Sequence, residues 1–289
     1  MARLGCALLH MSRYPAPTIH LPRGSLPVLL SVPHAGRDYD EAVVANAAQG
    51  LRSLEPLEDP LVDRLCWRAI AAGFGAVIQN VPRAVIDCNR DEEEVDPASV
   101  HGISPAPVGP RARFGLGLVP SRTHRHGALW RRPIDRAELN GRIEEVHRPY
   151  HEALGGALAE LASRFGEVLL LDCHSMPSRP GNRVEIVIGD RHGTSSAPWI
   201  SAEAARLARQ SGFRVALNDP YAGGAIIGRH GRPVDGIHAV QLEIDRSTYL
   251  NPDNRTPGPG FDRMASFLET LATGLGQAIL ERGLREAAE

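Results

Sequence analysis

The sequence predicts a single α/β domain with a largely parallel β-sheet covered by helices. Apolar runs of strand length alternate along the chain with longer segments of helical periodicity, an order typical of parallel sheets. The run at 168–171 is apolar at every position, as expected for a strand that is buried on both faces. The 289 residues and a hydrophobic content of 43% suit one large domain, which we place at 24–289 after an irregular arm at 1–23.

The composition excludes several classes of partner and location. Lys and Arg together number 32 and Asp and Glu 34, so neither nucleic acid nor a membrane surface is expected as a partner. No apolar run approaches membrane-spanning length, and the apolar patch near the N-terminus is too short for a secretory signal. Cys6, Cys66, Cys88 and Cys173 form no CxxC pair and are expected to be free buried thiols. We therefore expect a soluble, cytoplasmic protein, and the sequence does not indicate its oligomeric state.

Strands are predicted where a short apolar run ends at turn-forming or polar residues. The run at 26–32 (LPVLLSV) ends at Pro33. The run at 238–244 (HAVQLEI) alternates, so that Gln241 and Glu243 face away from the apolar side chains between them. The remaining predicted strands lie at 76–78, 84–86, 167–171, 184–188 and 213–217.

Helices are predicted from apolar residues at helical spacing. One begins near residue 58, where Asp59 is a suitable N-cap and Pro60 a suitable first helical residue. A second spans 134–165, with Gly155 and Gly156 as a point of interruption. The others lie at 197–212 and in a C-terminal segment that includes Met264 and Leu275. Between them, 91–132 and 221–236 are loops, and we expect the first of these to shape a substrate pocket because loops of that length are usually functional.

Polar side chains follow most of the predicted strands, at the point where each strand ends. They are His34, Asp87 with Asn89 and Arg90, Asp172 with His174, Asp190, Asp219 and Glu243. In open α/β sheets, ligands bind in the crevice at the carboxyl ends of the strands. We therefore expect these side chains to converge on one edge of the sheet.

Two of these residues are candidates for metal ligands. His34 and His174 each come just after or at the end of a buried strand, and two histidines with one carboxylate form a plausible zinc site with a position left for water. Zinc lowers the pKa of such a water to about 7. The alternative is that both histidines bond to backbone groups. The other loop and helix histidines, His124, His126, His147, His151 and His192, are expected to be solvated or hydrogen-bonded.

Eight short segments, in order along the chain, together resemble a known family. They are SVPHAG at 31–36, DPLVDRL at 59–65, RAVIDCNR at 83–90, PYH at 149–151, DCHSM at 172–176, GDRHG at 189–193, NDPYAGG at 218–224 and QLEIDR at 241–246. The chain resembles the N-formylglutamate amidohydrolases, also called N-formylglutamate deformylases, over roughly residues 26–252. No single segment is decisive, but the ordered set is highly specific.

The resemblance implies a fold and an activity. The fold would be a central mixed, mostly parallel sheet flanked by helices, similar to zinc carboxypeptidases and aminoacylases. The activity would be the metal-dependent hydrolysis of N-formyl-L-glutamate to formate and glutamate, a late step of histidine breakdown. The HxxE pair of the carboxypeptidases is absent, because Arg37 stands three residues after His34. The carboxylate ligand must therefore come from elsewhere, and Asp59 and Asp63 are the candidates. The resemblance favours Asp59, because the first acid of the DxxxD pair is the more constant in the wider family; the alternative is that Asp59 is a plain N-cap.

The resemblance also implies roles for individual residues. His34, Asp59 and His174 would hold one divalent metal, most simply zinc, and Asp172 would orient an imidazole ligand. Glu243 would act as the general base. Asn89 and Arg90 would bind one carboxylate of the substrate, and a second arginine, Arg83 or Arg229, the other.

Three alternatives remain open at this point. One is a sister hydrolase that acts on another N-acyl amino acid, and another is a non-catalytic binding protein on the same fold. The third is a serine hydrolase, which is disfavoured because the chain has no G-x-S-x-G motif around Ser175.

Overall fold

The computed structural model describes residues 12–103, 109–178, 181 and 183–286. Within these ranges the strands are β1 Thr18–His20, β2 Val28–Val32, β3 Gly75–Ile78, β4 Arg122–Thr123, β5 Gly127–Ala128, β6 Val168–Met176, β7 Ile186–Gly189, β8 Val215–Leu217 and β9 Ile237–Asp245. Seven of them form one sheet in the order β1-β3-β2-β6-β9-β7-β8, and β4 and β5 pair separately within the long loop.

The helices cover both faces of this sheet. They are α1 Glu41–Asn46, α2 Leu51–Leu54, α3 Val62–Leu65, α4 Trp67–Ala71, α5 Pro110–Arg113, α6 Arg136–Arg142, α7 Arg148–Phe165, α8 Pro198–Gln210, α9 Ala225–His230 and α10 Phe261–Glu286. A π-helical segment, Ile143–His147, joins α6 to α7, and neither Gly155 nor Gly156 interrupts α7. Among the residues described, no helix combines the length and the hydropathy that crossing a bilayer requires.

The sheet is mixed and mostly parallel, as predicted. The central strands β3, β2, β6 and β9 run parallel to one another, and β7 runs antiparallel to β9. At the other edge, β1 pairs antiparallel with β3, so part of the expected irregular arm belongs to the sheet. Because β2, β6 and β9 are adjacent and parallel, their carboxyl ends meet at one edge.

The core consists of two apolar layers, one on each face of the sheet. Val28 and Leu30 of β2 pack into the layer formed with α3, α4, α8 and α10. Leu29 between them packs into the opposite layer with α7. Strands β2 and β6 are buried at every position, which explains their continuous apolar runs. Cys66, Cys88 and Cys173 are buried free thiols as expected, whereas Cys6 lies outside the described residues.

The local predictions for 84–86 and for Asp59 are wrong, and the predicted loop at 221–236 contains α9. The apolar run at 84–86 forms a turn rather than a strand: Val85 donates to the carbonyl of Pro82, and its side chain is buried in the α7 layer. Asp59 does not cap a helix, because α3 begins at Val62 after Leu61, which has a φ of 62°. Residues 84–86 are apolar because they are buried in the core, not because they belong to a strand. The carboxylate of Asp59 does not cap α3 because it pairs with His34 and His174 instead.

The expected convergence of strand ends is also wrong for two residues. Asp190 follows β7, which runs opposite to β9, and Asp219 follows β8, which is parallel to β7. The carboxyl ends of β7 and β8 therefore point in the opposite direction to those of β2, β6 and β9. Asp190 instead accepts hydrogen bonds from Ser201 and Asn218 and holds its own loop.

Candidate metal centre and active-site cleft

Three ligand atoms converge at the shared edge of β2 and β6. His34 lies in the turn after β2, His174 lies in β6, and Asp59 lies in the segment before α3. Nδ1 of His34 is 3.0 Å and Nδ1 of His174 is 3.1 Å from the same Asp59 oxygen, Oδ2. The two Nδ1 atoms are 3.2 Å apart. All three residues are buried, and they form a group able to hold a metal ion.

The other nitrogen of each imidazole is bonded to a carboxylate. Nε2 of His34 is 2.8 Å from Asp87, and Nε2 of His174 is 2.9 Å from Asp172. A carboxylate only accepts hydrogen bonds, so each Nε2 carries the proton and each neutral ring directs the Nδ1 lone pair toward Asp59. Metal-binding histidines are typically held in this way by a carboxylate. Two lone pairs and a carboxylate oxygen facing one point repel one another unless a cation lies between them, so the donor set fits a divalent metal.

The electrostatic field at this point favours positive charge. Although burial acts in the opposite direction, the carboxylates of Asp172 and Asp59 raise the pKa of His174 well above its usual value. Burial acts to raise the pKa of Asp59, but its hydrogen bonds to His174 and His34 hold that pKa well below its usual value. A proton and a metal ion therefore compete for the same lone pairs.

The second oxygen of Asp59 is held away from the histidines. Oδ1 is 3.4 Å from a terminal nitrogen of Arg246 and 3.4 Å from the hydroxyl of Ser175. Arg246 also donates to Ser175 and to the carbonyl of Glu58. Ser175 is thus part of this support. These contacts leave Oδ2 as the oxygen directed to the metal position.

Asp63, the alternative carboxylate, lies outside this group. Both of its oxygens accept hydrogen bonds from the guanidinium of Arg37, each at 2.8 Å. Arg37, three residues after His34, thus forms a structural ion pair with Asp63. The geometry therefore supports Asp59 over Asp63.

A hydrogen-bonded chain fixes Asp172 behind His174. The hydroxyl of Ser31 donates to Asp172 at 2.7 Å and lies 2.8 Å from the hydroxyl of Tyr150. Burial raises the pKa of Tyr150 well above its usual value, so Tyr150 stays neutral and can donate to Ser31. Ser31 of β2 and Tyr150 of α7 together fix Asp172, which orients the imidazole of His174.

Glu243 lies beside the metal position on the neighbouring strand. It is opposite His174 in the register of β6 and β9. Gln241 donates to Glu243 at 2.9 Å, and Gln241 itself accepts from the backbone N–H of Gly224 at 2.9 Å. Burial raises the pKa of Glu243 to about 7, against the opposing charges of His174 and Arg83. A carboxylate with a pKa near neutrality is suited to accept and return a proton.

Arg83 and Arg90 both line the cleft, but they differ in the donors that remain available. Nε of Arg83 donates to Asp87 at 2.9 Å, and its two terminal nitrogens donate to no group among the described residues. Arg90 donates from Nε to the carbonyl of Leu116 and from one terminal nitrogen to the carbonyl of Asn89. Most of the Arg90 fork is therefore used within the protein.

Asn89 is engaged in the same way. Its Oδ1 accepts from the backbone N–H of Ile226 at 2.9 Å, and its Nδ2 lies 3.3 Å from Oε1 of Gln241. Gly224 packs against this amide so closely that a Cβ there would lie 2.2 Å from Oδ1 of Asn89. Arg229 is exposed on α9 and is not among the residues that line the cleft. The structure thus brings Asn89 to the site and leaves Arg229 outside it.

The cleft also contains residues to which the sequence analysis assigned no role. Gln241, Arg246, Tyr221 and Arg111 line it together with the predicted residues. Its empty volume, including the open mouth, is about 680 Å³, within the range of small-molecule sites. Arg111 lies on α5 within the long loop. Because that segment shows no helical or strand periodicity, the only signal in the sequence was its excess of arginine.

A second set of buried histidines lies behind the cleft wall. His151 donates from Nε2 to the carbonyl of Cys88, and its Nδ1 is 2.9 Å from Nε2 of His230. His147 donates to the carbonyl of Arg90 at 2.9 Å. These hydrogen bonds hold the backbone of the segment that carries the side chains of the cleft wall.

Comparison with known proteins gives a consistent result. The family model described as N-formylglutamate amidohydrolase matches residues 26–250. The chain is 31% identical to the N-formylglutamate deformylase of Pseudomonas putida over 270 residues, covering 90% of this chain and 95% of that protein. It is 30% identical to the enzyme of the same name from Pseudomonas aeruginosa over 238 residues, covering 79% and 84%.

A solved structure extends the likeness to the fold. The crystal structure of N-formylglutamate amidohydrolase from Ralstonia eutropha superimposes with a TM-score of 0.83 at 32% identity. The match covers 93% of this chain and 99% of that one. The chain belongs to the N-formylglutamate amidohydrolase family.

Proposed function

We propose that this chain is a metal-dependent amidohydrolase that cleaves N-formyl-L-glutamate to formate and L-glutamate. The observation that carries the proposal is the convergence of His34, Asp59 and His174 beside Glu243, in a cleft whose other wall carries arginines. Membership of the family adds the substrate, because two relatives are named for it.

The donor set favours a zinc ion as the cofactor. Two imidazole nitrogens and one carboxylate oxygen are ligands that zinc takes in catalytic sites, which leave a further position open. His34 Nδ1, His174 Nδ1 and Asp59 Oδ2 would hold the ion. When bound, it would polarise the formyl oxygen and make water a better nucleophile.

Glu243 performs the proton transfers in this proposal. Its carboxylate accepts a proton from the water whose oxygen attacks the formyl carbon. The same proton then passes from Glu243 to the amide nitrogen as the C–N bond breaks, which releases formate and the free amine of glutamate. Gln241 holds Oε1 of Glu243, so the other oxygen remains for the proton.

Of Arg83 and Arg229, the two alternatives for a second arginine that binds a substrate carboxylate, Arg83 is the better placed. Its two terminal nitrogens face no acceptor among the described residues, and its charge acts on both Glu243 and Asp59. A guanidinium fork can bind a carboxylate through two parallel hydrogen bonds. Arg90 and Asn89 complete this wall, with Asn89 holding Gln241 in place.

The direct test is hydrolysis by the purified protein. Release of formate and glutamate from N-formyl-L-glutamate is measured before and after removal of metal by a chelator, and again after zinc is restored. Glu243→Gln is the matched control, because it keeps the shape of the side chain and removes the proton acceptor. Absence of turnover in metal-loaded protein would contradict the proposal. A panel of N-acetyl and other N-formyl amino acids distinguishes this activity from a sister hydrolase.

We further propose that the reaction serves histidine degradation, as the family resemblance implies. A strain that lacks the gene should then accumulate N-formylglutamate when histidine is supplied. Complementation with Glu243→Gln should not reverse the accumulation. Normal histidine-dependent growth without accumulation would reject this assignment and leave the chemical proposal untouched.

A further inference from the structure

We propose that Arg111 recognises the second carboxylate of the substrate and thereby selects acidic N-formyl amino acids over neutral ones. This inference rests on the proposed function and assigns a specificity residue within the same cleft. It concerns a residue of the long loop rather than one of the strand ends.

Arg111 differs from the other arginines of the cleft in its lack of a close acidic partner. Arg83 and Arg90 both lie beside Asp87, and Arg246 lies beside Asp59. Among the described residues, Arg111 forms no ion pair within 4.0 Å and its guanidinium donates no hydrogen bond. A half-buried cation that lines a cleft without such a partner is available to a ligand anion.

The position of Arg111 is fixed by backbone hydrogen bonds to the cleft wall. Leu116 donates its N–H to the carbonyl of Arg111 at 3.0 Å, and the carbonyl of Leu116 accepts from Nε of Arg90 at 2.7 Å. Two residues on, Leu118 donates to the carbonyl of Glu94 at 2.7 Å. The loop that carries Arg111 is therefore attached to the segment that carries Arg90.

Glycines allow this close attachment. A Cβ at position 117 would lie 2.4 Å from the carbonyl oxygen of Glu94, which only a glycine avoids. At position 109, directly before α5, a Cβ would lie 3.2 Å from the Glu94 carboxylate. The short helix thus packs against Glu94, and Arg111 projects from it into the cleft.

The charges at this end of the cleft leave room for an anion. Burial and the like charges of Arg83 and Arg111 lower the pKa of Arg90 to about 10, with Asp87 acting in the opposite direction. Among the described residues, Arg83 and Arg90 form ion pairs within 4.0 Å with Asp87 and Glu94, whereas Arg111 forms none. A substrate carboxylate would offset the repulsion that remains.

The two available arginines lie at different depths from the reacting centre. Arg83 donates to Asp87, the carboxylate that holds His34 of the metal-binding group, whereas Arg111 is attached through Leu116 to Arg90. In N-formylglutamate, one carboxylate is attached to the carbon that bears the formylamide, and the other lies beyond two methylene groups. Arg83 is therefore matched to the first carboxylate, and Arg111 to the second.

The test compares N-formyl-L-glutamate with N-formyl-L-glutamine, in which a neutral amide of the same shape replaces the side-chain carboxylate. Arg111→Gln should lower kcat/KM for N-formylglutamate by about 100-fold, the scale of a lost charge-assisted hydrogen bond. It should leave kcat/KM for N-formylglutamine within about threefold, so that the preference for the acid collapses. Arg113→Gln is the matched control, because Arg113 is exposed on the same helix and does not line the cleft.

A binding measurement separates recognition from chemistry. In protein that carries Glu243→Gln, N-formylglutamate should bind more weakly when Arg111→Gln is added, whereas N-formylglutamine should not. If Arg111→Gln does not fold, Arg111→Lys tests the same contact, since it keeps the charge but loses the fork and should give an intermediate preference.

The outcomes distinguish the inference from the function on which it rests. Wild-type turnover of N-formylglutamate with an unchanged preference in Arg111→Gln would overturn the role of Arg111 and leave the proposed function intact. Failure of the metal-loaded wild type to hydrolyse either compound would overturn both. Equal losses on the two substrates would make Arg111 a structural residue and also overturn the inference.

Discussion

Two sets of buried histidines among the described residues are held by different kinds of hydrogen-bond partner. His34 and His174 lie at the ends of parallel strands, and each donates from Nε2 to a carboxylate. His151 and His147 lie on the helical side, and each donates from Nε2 to a backbone carbonyl. Since all are similarly buried, burial alone does not decide what a histidine does here.

The role of each histidine depends instead on the group that accepts the hydrogen bond from its Nε2. Carboxylates behind His174 raise its pKa well above the usual value, although burial opposes them. Without carboxylate partners, burial and neighbouring cationic groups lower the pKa of His151 to about 2 and that of His230 to about 4. The first set therefore attracts a cation, and the second stays neutral and holds the backbone of Cys88 and Arg90.

The largest effect should come from removing the histidine ligands themselves. His34→Asn and His174→Asn should each reduce the metal content from about one ion per chain to near zero, because a three-residue site loses a ligand. His151→Asn should keep its metal, since the hydrogen bonds of the His151 side chain to the described residues go to Cys88 and His230. Elemental analysis of the purified variants measures this. Equal metal loss in all three would abolish the distinction between the two sets.

The carboxylate ligand can be ranked by the same measurement. Asp59→Asn should lower metal affinity strongly because Oδ2 faces both histidines. Asp63→Asn is the control and should have little effect, because Asp63 is paired with Arg37. Titration with zinc against a competing chelator gives both affinities. The reverse ranking would move the ligand to Asp63.

Glu243→Gln separates holding the metal from using it. We expect kcat to fall by about 100-fold or more, the usual scale for losing a general base, with metal content and folding near wild type. Steady-state kinetics and elemental analysis on the same preparation test this. Full activity with bound metal would eliminate Glu243 as the base, and lost metal would make it a ligand.

Substituting a carboxylate that accepts the Nε2 hydrogen bond of a ligand histidine should have an intermediate effect on metal affinity. Asp172→Asn replaces the acceptor of His174 Nε2 with a neutral amide, and substitutions of such groups typically cost 10- to 100-fold in metal affinity, which is about the loss we expect. Thr256→Val, at an exposed position that does not line the cleft, serves as a folding control. An affinity unchanged by Asp172→Asn would show that Asp172 does not tune the site.

The smallest effect concerns the neutral histidines and pH. The unfolded chain protonates His230 below a pH of about 6.5, whereas the folded protein resists protonation until about pH 4. The contribution of His230 to stability is therefore complete above about pH 6.5 and is lost as the pH falls toward 4. The free energy of unfolding of His230→Asn should depend less on pH between 7 and 5, by about 1 to 2 kcal/mol.

Chemical denaturation at several pH values checks this expectation. His124→Asn is the matched control, because it also removes one histidine but at an exposed position. The same pH dependence in wild type and His230→Asn would show that His230 is not held neutral by the fold.

The sequence by itself determined the elements and much of the site. Continuous apolar runs marked β2 and β6 because strands covered on both faces need apolar residues at every position. Alternation in β9 placed Glu243 on the face opposite Leu242, and His34 and His174 stood out as polar residues at the ends of buried runs. These properties depend on neighbours along the chain, so they can be read locally.

The tertiary structure decided what local patterns leave open. An apolar run does not encode strand direction, so the reversal of β7 that removes Asp190 from the cleft was not visible. Asp59 has the local signature of an N-cap, and only the approach of β2 and β6 gives its carboxylate two histidine partners instead. Arg111 faces the cleft because its loop is bonded to the carbonyl of Glu94 and the side chain of Arg90, which are contacts between distant segments. Such contacts are set by the packing of the whole chain, and no window of the sequence contains them.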